Sequence, residues 1–298
     1  MKKILFIILL FLSLHASADD SGNCGDGATF YYNEATQTLT ISGEGPMYNY
    51  SHEFRPWNTY CSKISNVIIE PGITSICSWC FFSCKSLTSI TLPNTLSSIS
   101  DFSFYGCSNL TSIKIPEGVT SIGQQAFFEC YNLSSVFVPN SLNGIGYSAF
   151  EGCNKSLVII VAVKDVSGFC NNKIISIIYN NIGKPVKLID NDGNEINSLK
   201  IPNDVTSIGS YAFYNCSCLN SLIIPNNVVE IGNNAFSGCN IKKTIWLSNT
   251  PPLGCNNAQG IVNYVSNDQF TSLSNTTKYQ FLSSYFDVDG IRYVPVSP

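Results

Sequence analysis

Apolar residues along this chain recur on a beat of 23. An isoleucine stands at 76, 99, 122, 145, 208 and 231, and a phenylalanine follows at 81, 104, 127, 150, 213 and 236. Three residues after each phenylalanine comes a cysteine, at 84, 107, 130, 153, 216 and 239. Behind the cysteine lies an alternating stretch that ends in proline, such as Leu87-Thr88-Ser89-Ile90-Thr91-Leu92-Pro93. It returns at Leu110 to Pro116, Leu133 to Pro139 and Leu219 to Pro225. Its apolar first, fourth and sixth places fit a short strand entered from a turn, with alternate side chains inward. Gly123–Glu129 and its equivalents predict a turn and a short helix. Proline has no N–H to donate, so it ends the strand and starts the turn back. A fixed period of this length means one supersecondary unit stacked on its neighbours, a solenoid. The expected fold is therefore α/β, with short parallel strands alternating with short helices or turns.

The beat fails once. Cys153 and Cys216 are 63 residues apart, six short of three periods, and Lys184–Ile196 reads as a hairpin about an Asn-Asp-Gly turn. The insert either splits the solenoid or decorates one distorted stack, in which helix–turn material from Asp165 to Ile178 substitutes for a repeat. The expected organisation is a leader (1–18), a β-rich N-terminal cap (19–70) and a first repeat segment (71–163). The irregular insert (164–195), a second repeat segment (196–247) and a C-terminal cap (248–298) follow.

The unit I–G–x–x–A–F–x–x–C–x–x–L–x–x–I–x–I–P is carried by Ile122-Gly123, Ala126-Phe127, Cys130, Leu133, Val136, Val138 and Pro139. Ile208-Gly209, Ala212-Phe213, Cys216, Leu219, Leu222, Ile224 and Pro225 carry it again. This resembles the BspA-like, or treponema-type, leucine-rich repeat of secreted and surface proteins in bacteria and some protists. Cys24-Gly25, Leu39–Gly45 and Pro56-Trp57 resemble the N-terminal cap of such proteins. The resemblance implies a leucine-rich-repeat scaffold at the cell surface or in the medium, with a role in attachment to host matrix proteins or other cells.

Composition agrees with an exported product. Lys2-Lys3, an apolar run from Ile4 to Leu14 and Ala16-Ser17-Ala18 read as a cleavable leader, and the run is too short for a permanent anchor. Cleavage would leave 14 of the 16 basic side chains against 20 acidic ones. That balance argues against nucleic acid, whose phosphates demand clustered Lys and Arg.

Thirteen cysteines in an exported chain would ordinarily suggest a disulfide framework. Six of them occupy one repeat position, where a small apolar side chain packs between turns, so a reduced ladder is expected. Cys77-x2-Cys80-x3-Cys84 has the spacing of a metal motif, but each member falls on a small-residue position of the repeat. Cysteines 24, 61, 170, 218 and 255 lie off the template; Cys24–Cys61 is a candidate bridge across the cap, and the spacing leaves connectivity open. Asp190–Glu195 resembles the start of a calcium loop but lacks the later glutamate, so a tight turn is the expectation. Past the leader only His52 remains as a histidine, and no nucleophile elbow or phosphate loop occurs. Asn109 and Asn132 match the glycosylation acceptor pattern, but the repeat explains both. No catalytic residue, cofactor or metal is assigned.

Strand positions that do not point inward form two columns. One runs Ser89, Ser112, Ser135, Ile159, Ser198, Ser221, Thr244 and reads as a hydroxyl or packing ladder. The other runs Thr91, Lys114, Phe137, Val161, Lys200, Ile223, Trp246, varies from rung to rung and is the candidate partner-binding face. The alternative for Phe137 and Val161 is cover by the insert. At ~4.8 Å per strand, eight to ten rungs give a face on the order of 40–50 Å long, fitting a protein or an extended glycan. The expected function is an exported non-enzymatic binding protein. An envelope-associated structural module is the alternative, and a secreted hydrolase a weak third.

Overall fold

The structure, a computed structural model, describes residues 20–246 and three strands at 264–266, 286–288 and 291–295. The expected leader, most of the expected C-terminal cap and Cys255 lie outside the described residues.

Strands β1 (Asp20–Asn23), β2 (Gly27–Asn33) and β3 (Thr38–Pro46) form an antiparallel meander. The β2–β3 turn is fixed by Asn33, whose Oδ1 accepts from the Thr36 amide at 2.9 Å. From β3 onward pairing is parallel, because β4 (Asn66–Ile69) and β5 (Ile73–Ile76) both align with it. β3 thus converts a meander into a solenoid with two strand-bearing faces.

The longer strands make one face. β6 (Ser89–Thr91) pairs with β4. The shorter face stacks β7 (Ser98–Ile99) on β5. Above them β8 (Ser112–Lys114), β10 (Ser135–Val138) and β12 (Val158–Ala162) continue the long face, while β9 (Ser121–Ile122) and β11 (Gly144–Ile145) continue the short one. The insert follows as α1 (Val166–Phe169), α2 (Ile174–Asn181) and β13 (Val186–Ile189), which pairs with β12. Beyond it β14 (Ser198–Lys200), β16 (Ser221–Ile224) and β18 (Lys243–Trp246) resume the long face, and β15 (Ser207–Ile208) and β17 (Glu230–Ile231) the short face. The parallel ladder is interrupted between β13 and β14, yet the buried side chains from Cys24 to Ile241 form one hydrophobic cluster. β19 (Tyr264–Ser266), β20 (Phe286–Val288) and β21 (Ile291–Pro295) make a separate antiparallel sheet.

The stretch between isoleucine and cysteine is not helical. It is a turn with two left-handed residues per rung, such as Gln125 (φ 50°) and Glu129 (φ 56°). Such φ values cost about 1–2 kcal/mol for ordinary side chains, so Gly106, Gly152 and Gly238 at the second site are favourable choices. Where another rung follows, alternate amides of the turn bond to it. Gln125, Phe127 and Glu129 donate to Tyr147, Ala149 and Glu151 carbonyls at 3.0, 2.7 and 2.9 Å.

Between the faces run two internal columns. Phe81, Phe104, Phe127 and Phe150 stack with centroids 5.2, 5.0 and 5.0 Å apart, and Phe213 stacks on Phe236 at 5.1 Å. Beside them four ladder thiols donate to a carbonyl 26 residues earlier, while Cys216 donates to the Tyr214 carbonyl at 3.8 Å. Cys107, Cys130, Cys153 and Cys239 bond Phe81, Phe104, Phe127 and Phe213 at 3.1, 3.1, 3.2 and 3.0 Å. Cysteine therefore supplies small volume and a donor at once.

The candidate Cys24–Cys61 bridge does not form. Cys61 is joined to Cys84, with Cα atoms 4.5 Å apart, and Cys24 is a buried free thiol beside Cys77. The physical reason is the beat itself. Cys61 lies 23 residues before Cys84, so it is the first rung of the ladder rather than off it. The first two ladder members, Cys61 and Cys84, are thus oxidised, while Cys107, Cys130, Cys153, Cys216 and Cys239 are thiols. Cys170, also off the template, accepts at its carbonyl from the Gly209 amide (2.8 Å), as Ile208 does from Gly232 (2.7 Å). With Phe169 tilted against Phe213 at 5.5 Å, it makes α1 a stand-in for a repeat.

The open end of the stack is closed by side chains. The carbonyls of Cys80 and Phe82 correspond to those of Ser103 and Tyr105, which accept from the preceding rung at 2.7 Å. No full rung precedes them. Trp57 Nε1 donates to the Cys80 carbonyl at 2.8 Å, and the Arg55 guanidinium to the Phe82 and Trp79 carbonyls at 2.7 and 3.0 Å. Arg55 is 5% exposed, and burial pulls its pKa below the usual value.

Four outcomes are expected. Phe127→Ala should lower stability by about 3–5 kcal/mol in a urea titration, since it opens a gap in a continuous ring stack. Trp57→Phe keeps the ring but orphans a buried carbonyl, and should cost about 1–3 kcal/mol in the same assay. Burial pushes the Cys107, Cys153 and Cys239 thiols up to about 12 from 9.0. Between those values the unfolded chain binds fewer protons than the folded one, so this contribution is complete below pH 9 and declines as pH rises toward 12. Melting temperature measured across that alkaline range should fall, and ladder thiols should resist alkylation at neutral pH until the chain unfolds.

Candidate functional site

The long face carries the candidate site, and its register decides which side chains reach solvent. Lys114 pairs with Phe137, Phe137 with Ile160, and Ile160 with Lys187. Thr91 and Lys114 are exposed and Phe137 is half-buried, as the outward column requires. Val161, expected beside Phe137, is instead fully buried, as is Ile159. Leu157 follows Leu133 by 24 residues, which suggests a shifted strand, but the extra residue is absorbed before β12 and the strand keeps its 23-residue step. Ile160 therefore takes the place in the face.

A second shift lies at the far end. Lys200 pairs with Ile223, and Ile223 with Ile245 rather than Trp246. One residue is missing after Cys239, so the place of Leu219 is held by Ile241, 22 residues on, and both are buried. Thr244, expected in the hydroxyl column, is fully buried. The Trp246 side chain lies outside the described residues. A one-residue slip exchanges the two faces of a strand, which is why each shift moves a whole set of side chains.

The insert builds one wall on this face. Its hairpin turn, Asp190–Gly193, stands beside the outward column and leaves a cleft of about 520 Å3. Phe137 and Ile160 form an apolar floor, Lys114 one rim, and Asp190 and Asp192 the other. Lys164 bridges to Glu117 at 3.0 Å across two rungs, both ends about half exposed. The floor is thus flanked by the insert rather than buried under it. Asp190 is committed to the turn. Its carboxylate accepts from the Asn194 amide (2.8 Å), the Asn194 side chain (3.2 Å) and the Asp192 amide (2.9 Å), which together hold its pKa below the usual value. Asp192 remains exposed on the rim. The cleft offers apolar contact at its base and charges of both signs around it.

In the expected hydroxyl column Ser89 donates to the Asn66 side chain at 2.6 Å, and a further hydroxyl ladder lies one residue earlier in the strand entry. Thr88 and Ser134 donate to the carbonyls of Ser65 and Thr111 at 3.0 and 3.2 Å. Asn109 and Asn132 stack similarly, with an amide bond of 3.4 Å.

An aromatic edge on the turn side has no counterpart in the sequence reading. Five residues before the ladder cysteine stand Trp79, Phe102 and Tyr211, and two before it Phe82, Tyr105, Phe128 and Tyr214. Trp79 stacks on Phe102 at 4.0 Å, while Phe82, Tyr105 and Phe128 follow at 5.0 Å steps. Tyr179 of α2 rests on Tyr214 at 4.1 Å, and His52 flanks Trp79 and Phe82. The same 23-residue alignment would have shown these columns. Their faces cover one another, so the rings brace the turns and present only their edges.

These features agree with the comparisons. Residues 58–178 and 191–285 match the model of the BspA type leucine-rich repeat region, in six copies. No curated protein matches. Among solved structures, a leucine-rich repeat protein of Eubacterium ventriosum is 21% identical, covering 82% of this chain and 77% of its own, with a TM-score of 0.39. The leucine-rich repeat protein of T. pallidum is 21% identical over 71% of this chain and 86% of its own, with a TM-score of 0.34. A leucine-rich cell surface protein of Faecalibacterium prausnitzii is 20% identical over 87% and 98%, with a TM-score of 0.29. With the family model matching well over half of its length, and the rungs in place, the chain belongs to the BspA-type leucine-rich-repeat family.

Proposed function

We propose that the chain is a non-enzymatic recognition protein that works outside the cell or at its surface, and that the long face binds its partner. The observation that carries this is the cleft beside the insert, where Phe137 and Ile160 lie on an open face between Lys114 and the hairpin turn. Apolar side chains left on a polar face mark interaction sites. The insert supports the reading, since it rims this part of the face instead of extending the repeat. A partner must contact several rungs, which suits a protein segment or an extended glycan in an adhesive role. Family membership and the cell-surface F. prausnitzii neighbour support the location.

Purified protein should bind saturably to immobilised host matrix proteins or to a member of a glycan array. Phe137→Asp should weaken that binding by roughly tenfold or more, because it places a charge at the desolvated centre of the contact. Val161→Asp is no control, since Val161 is core, whereas Thr91→Asp at the exposed end of the column should have a smaller effect. Unchanged affinity in Phe137→Asp would place the contact elsewhere. Failure to bind any partner would favour a structural role in the envelope.

A further inference from the structure

Wherever one complete rung follows another, three alternate turn amides donate to three alternate carbonyls of the next. Trp79, Phe81 and Ser83 do so with Asp101, Ser103 and Tyr105, and Tyr211, Phe213 and Asn215 with Asn233, Ala235 and Ser237. The rung at 148–152 has the same shape, with Ser148 at φ 53° and Gly152 at φ 75°. It is followed by the insert instead. Among the described residues, no acceptor meets the amides of Ser148, Phe150 and Gly152. Ala149 and Glu151, which alternate with them, make their ordinary turn bonds to Gly146 and Ser148. The lack is therefore specific to the row that addresses the next rung.

These amides open on a cavity of about 440 Å3 between the rung and the end of α2. Tyr147, Glu151, Cys153, Asn180, Ile182 and Lys184 line it. Tyr147 is 77% exposed, so its ring is available to a partner. The Glu151 carboxylate accepts from the Ser148 hydroxyl and is already engaged.

We propose that this cavity is a second recognition site, which takes an extended peptide segment of a partner protein through its main-chain carbonyls. The complement is visible one rung earlier, where the equivalent amides of Gln125, Phe127 and Glu129 each hold a separate carbonyl. Donors that act one to one along a chain do not converge on a single oxyanion, so a small anion is the wrong shape. A peptide presenting alternate carbonyls is the right one, as in strand addition to an open sheet edge. Lys184 at the rim favours a segment with an acidic side chain or a terminal carboxylate. The site is on the turn edge and shares no residue with the cleft of the long face.

The test uses backbone amide exchange on the full chain, with a capped peptide copying Ile145–Cys153 (Cys153→Ser) as probe. This is the segment that docks on Gln125–Glu129 within the protein. In the free protein, the Ser148, Phe150 and Gly152 amides should exchange roughly a hundredfold faster than those of Gln125, Phe127 and Glu129. Peptide at millimolar concentration should slow them by roughly tenfold, and equally so in the Phe137→Asp variant. Equal protection of the two rows in the free protein would overturn the proposal. So would exchange at 148, 150 and 152 that ignores the peptide, or protection that appears only on the long face.

Discussion

The structure depends on one constraint: every turn of the solenoid is half a hydrogen-bonded unit. Where another rung follows, alternate turn amides donate to its carbonyls, and no rung satisfies its own backbone. Stacking is therefore obligatory, and each end is a problem to be solved. At the first rung Arg55 and Trp57 supply donors from side chains. A buried guanidinium with no carboxylate among its partners is unusual, but here three oxygen acceptors share the charge.

The side-chain columns follow from the same stacking. Rungs about 5 Å apart bring identical residues into contact, so the repeat selects side chains that tolerate copies of themselves. Phenylalanine does so by ring stacking. Cysteine does so by being small, apolar and able to donate to the carbonyl below. Burial keeps these thiols protonated and unreactive, which lets a cysteine-rich chain avoid indiscriminate pairing. Cys61–Cys84 joins the first two members of the column at the junction with the cap.

The insert changes the shape of the scaffold. Its first part imitates a rung through Phe169 and Cys170, which keeps the core continuous. Its hairpin then rises beside the long face and turns a flat column into a cleft. An uninterrupted repeat would give a uniform surface. The break is where shape and charge become local, on the long face and at the turn edge alike.

The sequence by itself determined the architecture, because a period of 23 leaves each apolar position only one environment. The isoleucines, phenylalanines and ladder cysteines are where the pattern puts them, and the insert begins where it fails. The same pattern contained Cys61 as a first rung and the aromatic edge as two further columns, both legible from spacing. What the tertiary structure decided was local register. One residue gained before β12 and one lost before β18 exchange inward for outward, and spacing alone does not reveal whether the turn or the strand absorbs the change. Turn conformation was also beyond the sequence, since Gln125 and Glu129 adopt left-handed φ although neither is a glycine. The cleft belongs to the same class. It arises where β13 lays its hairpin against a strand column that precedes it in the chain, and only packing could place the two side by side.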